Sequence, residues 1–359
     1  MFETFGFETL TAPQAALFLG LALGLIFGVL AEVTGFCFRR AVAGPAETRR
    51  PALGVWMAAL AAAIIGTQGA VAAGLISFDG HRFLSPELPV LAILAGGLMF
   101  GAGMALTRGC IGRLTVLSGT GNLRAALVLV IVAIMAHATL KGVLAPLRTG
   151  LGEVTLPVGA WGLAALPGGA LVWALILATG AAALACCSGA PRGKLTLAVL
   201  LGLLVPAGWV GTGFVLLDAF DPIALESLSF TAPVADALFW SVAATAVAPG
   251  FGVGLIGGVL AGALAASLVA GRFRWQSFEG PSQTGRYLAG AALMGVGGVL
   301  AGGCTIGAGL AGLPTLGLSA FLALGTIALG ARATEAALSA PSRDGSSAPS
   351  PTRPQRQGA

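Results

Sequence analysis

Cys37, Cys110 and Cys304 each close the same apolar, glycine-rich stretch, with a glycine nine residues before the thiol in every case. Gly24-Leu25-Ile26-Phe27-Gly28 is followed by eight residues and Cys37, and Gly97-Leu98-Met99-Phe100-Gly101 by eight residues and Cys110. The third copy ends Gly295-Val296-Gly297-Gly298-Val299-Leu300-Ala301-Gly302-Gly303-Cys304. A fourth copy, 254–267, matches Gly24 to Ala31 at seven of eight positions but carries Ser267 where the thiol would stand. A repeated helix that ends in a thiol gathers several cysteines around one central site. Of the five cysteines, none forms a CxxC pair or has a histidine partner, so neither a disulfide framework nor a metal site is expected. Cys186 and Cys187 lack the glycine frame and read as small apolar residues at the end of a span. The arrangement points to transport of something that thiols can hold.

Glycines flank the thiols on both sides in Arg108-Gly109-Cys110-Ile111-Gly112 and in Gly302-Gly303-Cys304-Thr305-Ile306-Gly307. Glycine permits turns that other residues resist. A helix broken inside a membrane is tolerated where it lines a cavity, and its freed N–H groups attract anions. Cys37, Cys110 and Cys304 are therefore expected at helix breaks near the midplane, framed by Gly109, Gly303 and Thr305. Apolar surroundings favour the neutral S–H, a weak donor that can touch a soft sulfur-bearing anion without repulsion. Cys37 is expected nearer a vestibule, between Phe36 and Phe38. Arg108 and Arg39 are close enough in sequence to lend charge, Arg39 reading more readily as a loop-end residue. Glu32 precedes Cys37 by five residues, and His137 and Lys141 share a helix face. These three admit a charge or proton role, although a snorkelling Lys141 and a structural His137 are the simpler reading.

The elements that must position these residues are membrane helices. Hydrophobic residues make up 57% of the chain and charged residues 9%, against about a quarter in soluble domains. Mean hydropathy is +0.94. Apolar runs long enough to span fall at about 14–36, 52–76, 89–109, 123–147, 168–187, 194–217, 250–271, 286–303 and 314–332, and 233–248 reads as a re-entrant half-helix. Glu3 and Glu8 stand where a signal peptide would be basic, so no cleaved signal is expected. Arg39, Arg40, Arg49, Arg50, Arg113, Arg124, Arg192, Lys194, Arg272, Arg274 and Arg286 lie in alternate loops, and the intervening loops are acidic (Asp79, Glu87, Glu153, Asp218, Asp221, Glu226). The positive-inside rule then puts the N-terminus outside and the C-terminus inside. On this assignment copies one and three of the repeat run the same way, whereas transporter halves are often inverted. The net charge of +5 belongs to this topology and not to a nucleic-acid surface.

These residues resemble the YeeE/YedE family of sulfur-compound transporters. The resemblance rests on Gly97 to Arg113 with Gly119-Thr120-Gly121-Asn122-Leu123-Arg124, on Gly302 to Gly307, on Gly35-Phe36-Cys37 and on Ser229-Phe230-Thr231-Ala232-Pro233. It covers the chain to about residue 332 and implies thiosulfate uptake across the bacterial inner membrane. It implies a path lined by Cys37, Cys110 and Cys304, which pass the anion along by S–H hydrogen bonding without covalent chemistry. Many members have a Gly-Gly-Cys-Thr context where this chain has Arg108-Gly109-Cys110-Ile111, which touches on the subgroup and substrate. A separate small cytoplasmic sulfur-carrier protein is an implied partner.

The resulting expectation is an all-α polytopic inner-membrane protein with about nine spans and re-entrant half-helices. Residues 1–332 form one transport domain, with repeat-bearing halves at about 1–147 and 194–332, and 333–359 form a disordered cytoplasmic tail. Its substrate is thiosulfate or a similar small sulfur anion, with no cofactor, no metal and no enzymatic activity. The alternatives are a permease for a selenium species or another small solute, and a thiol-based membrane redox protein.

Overall fold

The computed structural model describes residues 11–157, 162–218 and 222–340; Glu3, Glu8, Asp221 and the tail beyond 340 lie outside them. Thirteen α-helices dominate: α1 (Ala12–Thr34), α2 (Phe38–Ala43), α3 (Ala46–Ala72), α4 (Val90–Leu106), α5 (Ile111–Gly119), α6 (Leu123–Lys141), α7 (Ala145–Gly152), α8 (Gly169–Cys186), α9 (Arg192–Val210), α10 (Thr231–Val242), α11 (Phe251–Val269), α12 (Pro281–Leu300) and α13 (Leu318–Ser339). The strands among the described residues are one antiparallel pair, Glu87–Leu88 with Leu156–Pro157. Nine helical segments in the described residues are long and apolar enough to cross a membrane. The protein is an all-α polytopic membrane protein.

Helices that meet in lipid gain nothing from hiding apolar surface, so close approach through small residues must hold them together. The α1–α11 seam does this with the repeat itself. Gly20, Gly24 and Gly28 lie against the backbone of Phe251, Leu255 and Val259 in turn, and Gly254, Gly258 and Gly262 lie against that of Leu17, Leu21 and Leu25. Both series climb together, so copies one and four pack in parallel. On the other side α4 packs between α12 and α13. Gly96 meets Leu300 and Ala301 whereas Gly103 meets Gly290 and Met294, so α12 runs against α4. Copy three is thus inverted relative to copy two and, by alternation of the spans, relative to copy one. This corrects the expectation that copies one and three run the same way: an odd number of crossings separates them.

Two boundaries also differ from the sequence reading. The half-helix expected at 233–248 is α10, twelve residues long and too short to span. Helix α13 continues through Ser339, so residues 333–339 are helical and do not belong to the tail. Glu335 in that last stretch pairs with Arg39 at 3.2 Å, a contact that the low apolarity of the segment conceals.

The glycine seam generates a matched pair of substitutions. A Cβ on Gly258 would drive into the backbone carbonyl of Leu21, while one on Gly257 would meet only a Leu21 methyl at 3.9 Å. Gly258→Ala should destabilise by about 1–3 kcal/mol through overpacking, and Gly257→Ala should be neutral or stabilising. Thermal midpoints of the detergent-solubilised variants check this, and equal midpoints would contradict the seam.

Candidate functional site

Three helix breaks of one design build the site. Helix α1 ends at Gly35 with φ 66°, α4 at Arg108 with φ 60° followed by Gly109, and α12 at Gly302 and Gly303 with φ 73° and 155°. In each, the residue before the cysteine donates its N–H to the carbonyl five residues back. Phe36 bonds to Ala31 at 3.1 Å, Gly109 to Met104 at 3.2 Å and Gly303 to Gly298 at 2.9 Å. This is the closure that ends a helix through a left-handed residue. The chain then restarts at once. Cys37, Cys110 and Cys304 accept the first bond of the next helical segment from Ala41, Leu114 and Ala308. They are the N-caps of α2, of α5 and of a π-helical segment, Thr305–Gly312. The Cys304 sulfur accepts from the Gly307 N–H at 3.3 Å, and those of Cys37 and Cys110 face the corresponding N–H groups of Arg40 and Arg113 at longer range.

The fourth copy shows why the glycine frame matters. Ala265 and Ala266 stand where Gly35 and Phe36 do in copy one, and α11 runs on through Ser267 without a break. Its end comes later, at Gly271, with Arg272 bonding back to Ser267 at 2.8 Å.

All three break cysteines are buried, at 4%, 2% and 0% exposure for Cys37, Cys110 and Cys304, while Cys186 and Cys187 are exposed. The thiols of Cys37 and Cys110 lie side by side, each the other's strongest side-chain interaction, and the Thr305 hydroxyl lies near Cys110. Cys37 therefore sits deep beside Cys110, and not in a vestibule. Phe230 roofs this region, tilted at 46° to Phe27 with centroids 5.3 Å apart and lying over Gly112 at the start of α5. The hydroxyls of Thr231 and Thr305 are buried without a conventional hydrogen-bond partner.

A cavity of about 450 Å³ opens on the side of Cys304. Its lining includes His81, Arg82, Trp209, Glu226, Ser229 and Gly307, and Gly307 is the residue bonded to the Cys304 sulfur. Arg82 is near enough to feel both Glu226 and Cys304. Its guanidinium also lies 5.0 Å over the Phe83 ring. The Trp209 indole N–H is buried without a partner. Burial, with Arg82 adding to it, pulls the His81 pKa down to about 4, so the imidazole is neutral at ordinary pH. Glu226 is exposed to the open cavity, yet desolvation by the surrounding protein pushes its carboxyl above the usual range, Asp236 adds to that, and Arg82 opposes it.

The opposite flank of the thiols is basic and paired. Arg113 contacts Glu32 at 3.4 Å and the Ala31 carbonyl at 3.2 Å, Arg272 reaches Glu32 at 3.6 Å, and both Arg113 and Arg39 act on Cys37. Glu32 thus serves as a partly buried counter-ion next to the break. Arg108 is exposed, and the cations beside the thiols are Arg113 and Arg39. His137 stacks on Phe239 at 4.6 Å, and both His137 and Lys141 act on Asp236, away from the thiols. Sequence reasoning missed Arg82, Trp209 and Thr231. The acidic loops around Arg82 masked it, and only the Ser229–Pro233 motif pointed toward Thr231.

The profile of a family described as sulphur transport matches residues 33–333. The chain belongs to the sulphur transport family. A 66-residue stretch is also 44% identical to a protein named thiosulfate transporter TsuA, from Spirochaeta thermophila. That stretch is 18% of this chain and 20% of the relative, so the chain spans only a fifth of that relative's length. Nine apolar helical segments among the described residues and membership of that family make the protein a multi-pass membrane protein of a sulphur transport family.

The two classes of cysteine should separate by reactivity. In mild detergent, a bulky polyethylene glycol maleimide should add to Cys186 and Cys187 and leave Cys37, Cys110 and Cys304 unmodified until denaturation. Rapid labelling of Cys304 in the folded protein would contradict its burial.

Proposed function

We propose that the chain takes up thiosulfate, or a similar small sulfur anion, along a path that enters by the Arg82 cavity. The path passes Cys304 and Thr305, reaches the Cys110–Cys37 pair and leaves past Arg113. The observation that carries this reading is the junction of the cavity with the thiols: Gly307 lines the cavity and bonds the Cys304 sulfur. Arg82 is exposed to the cavity and draws the anion in, since a guanidinium stays charged throughout the ordinary pH range. The buried hydroxyls of Thr231 and Thr305 and the Trp209 N–H are donors with no partner of their own. A desolvated anion would satisfy them, and it would lose heavily without such contacts. The S–H groups offer weak donation to a polarisable sulfur, which favours passage over tight capture.

The family and the TsuA similarity support a sulfur anion, and the name of that relative supports thiosulfate in particular. The adjacency of Cys37 and Cys110 supports a second reading, a thiol redox protein. That reading requires reversible oxidation of the pair during turnover, which alkylation mapping under transport conditions would reveal.

The central test is uptake of labelled thiosulfate in cells lacking other sulfur uptake, with sulfate and selenium oxyanions as competitors. Cys110→Ala and Cys304→Ala should each keep normal membrane expression, because the lost volume costs only about 1 kcal/mol. Each should lower uptake about tenfold or more, the scale of one lost hydrogen bond to a charged group. Cys37→Ala should behave like Cys110→Ala, and Cys186→Ala with Cys187→Ala should leave uptake intact. Near-wild-type rates for both Cys110→Ala and Cys304→Ala would remove the thiol path.

The same reading places the Arg82 cavity on the periplasmic face of the inner membrane and α13's end in the cytoplasm, with any sulfur-carrier partner on that side. A reporter fused after Ser339 should report cytoplasm, and one inserted at Gly80 should report periplasm. The opposite signals would reverse the path.

A further inference from the structure

The cavity that an anion must enter holds more negative than positive charge. Arg82 is the cation of its lining; Asp79, Glu226 and Asp236 are the carboxylates, and His81 is neutral. Desolvation pushes the Asp236 carboxyl up as well, but Lys141 and His137 face it from α6 and oppose the shift by offsetting its charge. Glu226 is different. Thr212 pins its backbone, accepting from its N–H at 3.1 Å and donating to its carbonyl at 2.7 Å, so the residue is held in place. Its carboxylate has no hydrogen bond or ion pair within 4 Å among those found in the described residues. The charged groups acting on it are Arg82, from the 81–84 turn, and Asp236, from α10. The elements packed closest otherwise, the end of α9 and the π-helical segment, present Trp209, Thr212, Gly307 and Ala311, none of them charged. An ionised Glu226 thus competes with the substrate for Arg82.

We propose that Glu226 is a proton-binding site coupled to the anion: the carboxyl takes up one proton as a sulfur-oxygen dianion binds beside Arg82. The proposal rests on the anion-path reading above. With Glu226 protonated, Arg82 is released to the anion and the carboxylic acid becomes a hydrogen-bond donor in place of a repelling charge. The coupling is reciprocal: a proton on Glu226 favours the anion, and the anion favours the proton. It also suits the direction of transport. A dianion moving toward a negative interior works against about 2.3 kcal/mol per charge per 100 mV, and a proton bound with it removes one charge from the loaded cavity. The raised carboxyl pKa of Glu226 agrees with this and puts the change nearer to neutral pH. The sign is fixed: the protonated form grows as pH falls, so anion binding must strengthen toward acid. Thiosulfate stays a dianion from pH 5 to 8 and His81 stays neutral above about 4, so neither produces the trend.

The test uses the full-length protein in detergent with thiosulfate as probe. Wild-type affinity should rise as pH falls from 8 to 5, by up to about tenfold per unit where one proton accompanies each anion. Thiosulfate added in weakly buffered solution with a pH indicator should draw protons onto the protein, and sodium chloride at equal ionic strength should not. Glu226→Gln, which mimics the protonated acid at constant shape, should bind at pH 8 as the wild type does at pH 5 and should take up no protons. His137→Gln should keep the wild-type profile. Thiosulfate binding that ignores pH, an unchanged profile in Glu226→Gln, or loss of the profile in His137→Gln would each overturn the proton site and leave the transporter reading standing. Absence of thiosulfate binding at every pH would remove both.

Discussion

A backbone N–H or carbonyl in a membrane interior has no water to turn to, so any interruption of a helix must satisfy its own polar groups. The three breaks meet this constraint in one way. A left-handed residue ends one helix, the next N–H closes back over five residues, and the cysteine carbonyl starts the following segment. Few backbone groups are stranded, and a side chain is held at the N-cap, where the polypeptide changes direction. Everything specific to the site follows from that. The thiol is fixed in direction, the first-turn N–H groups face it, and the glycines that permit the turn leave no side chain to block approach. Where the frame is missing, in the fourth copy, the helix simply continues and Ser267 is one more buried helical residue.

The second constraint is charge. An anion path needs cations, but bare cations in apolar surroundings would hold the anion as firmly as they attract it, and passage requires that binding at each point be weak enough to leave. Three of the arginines near the thiols accordingly have an acidic neighbour. Glu32 balances Arg113, Glu335 balances Arg39 and Glu226 faces Arg82. These partners come from different parts of the chain, so the local field depends on the assembled fold. The pairing of Arg39 with the end of α13 also ties the first break to the last helix.

The repeat was legible because a recurring glycine spacing survives in a single sequence, and it located all three buried thiols. The spans were legible for the same reason that membrane helices exist at all: about 20 apolar residues leave little room for another reading. Nearness in sequence says nothing about direction, and Arg108, expected along the path, points away from the buried thiols. At φ 60° it supplies the turn and its side chain is exposed, while Arg113, five residues on, carries the charge. Arg82 and Trp209 were illegible because they meet only after a loop and a helix end more than a hundred residues apart fold into one cavity. The inversion of copy three was available from counting crossings, and the antiparallel contact of α4 with α12 makes it physical.

The choice of sulfur over oxygen at the breaks has a reason in the same hydrogen bonds. Hydroxyls in this protein are mostly consumed by their own helices: Thr34, Thr107, Thr115 and Thr139 each donate to the carbonyl four residues back, and Ser267 donates to Leu264 at 2.9 Å. Serine or threonine at a break would be drawn into the same local bonds, or would cap the next helix strongly enough to compete with a passing solute. A thiol is a poor donor and a poor cap. It satisfies the geometry of the break without a strong local bond, and the Cys37 and Cys110 thiols interact with each other instead. Thr305 shows the complementary case, a buried hydroxyl with no oxygen or nitrogen partner that lies beside the Cys110 thiol. Weak local competition at Cys37, Cys110 and Cys304, with the Thr305 hydroxyl beside them, is the property that the proposed passage of a polarisable anion through a buried and otherwise apolar centre requires.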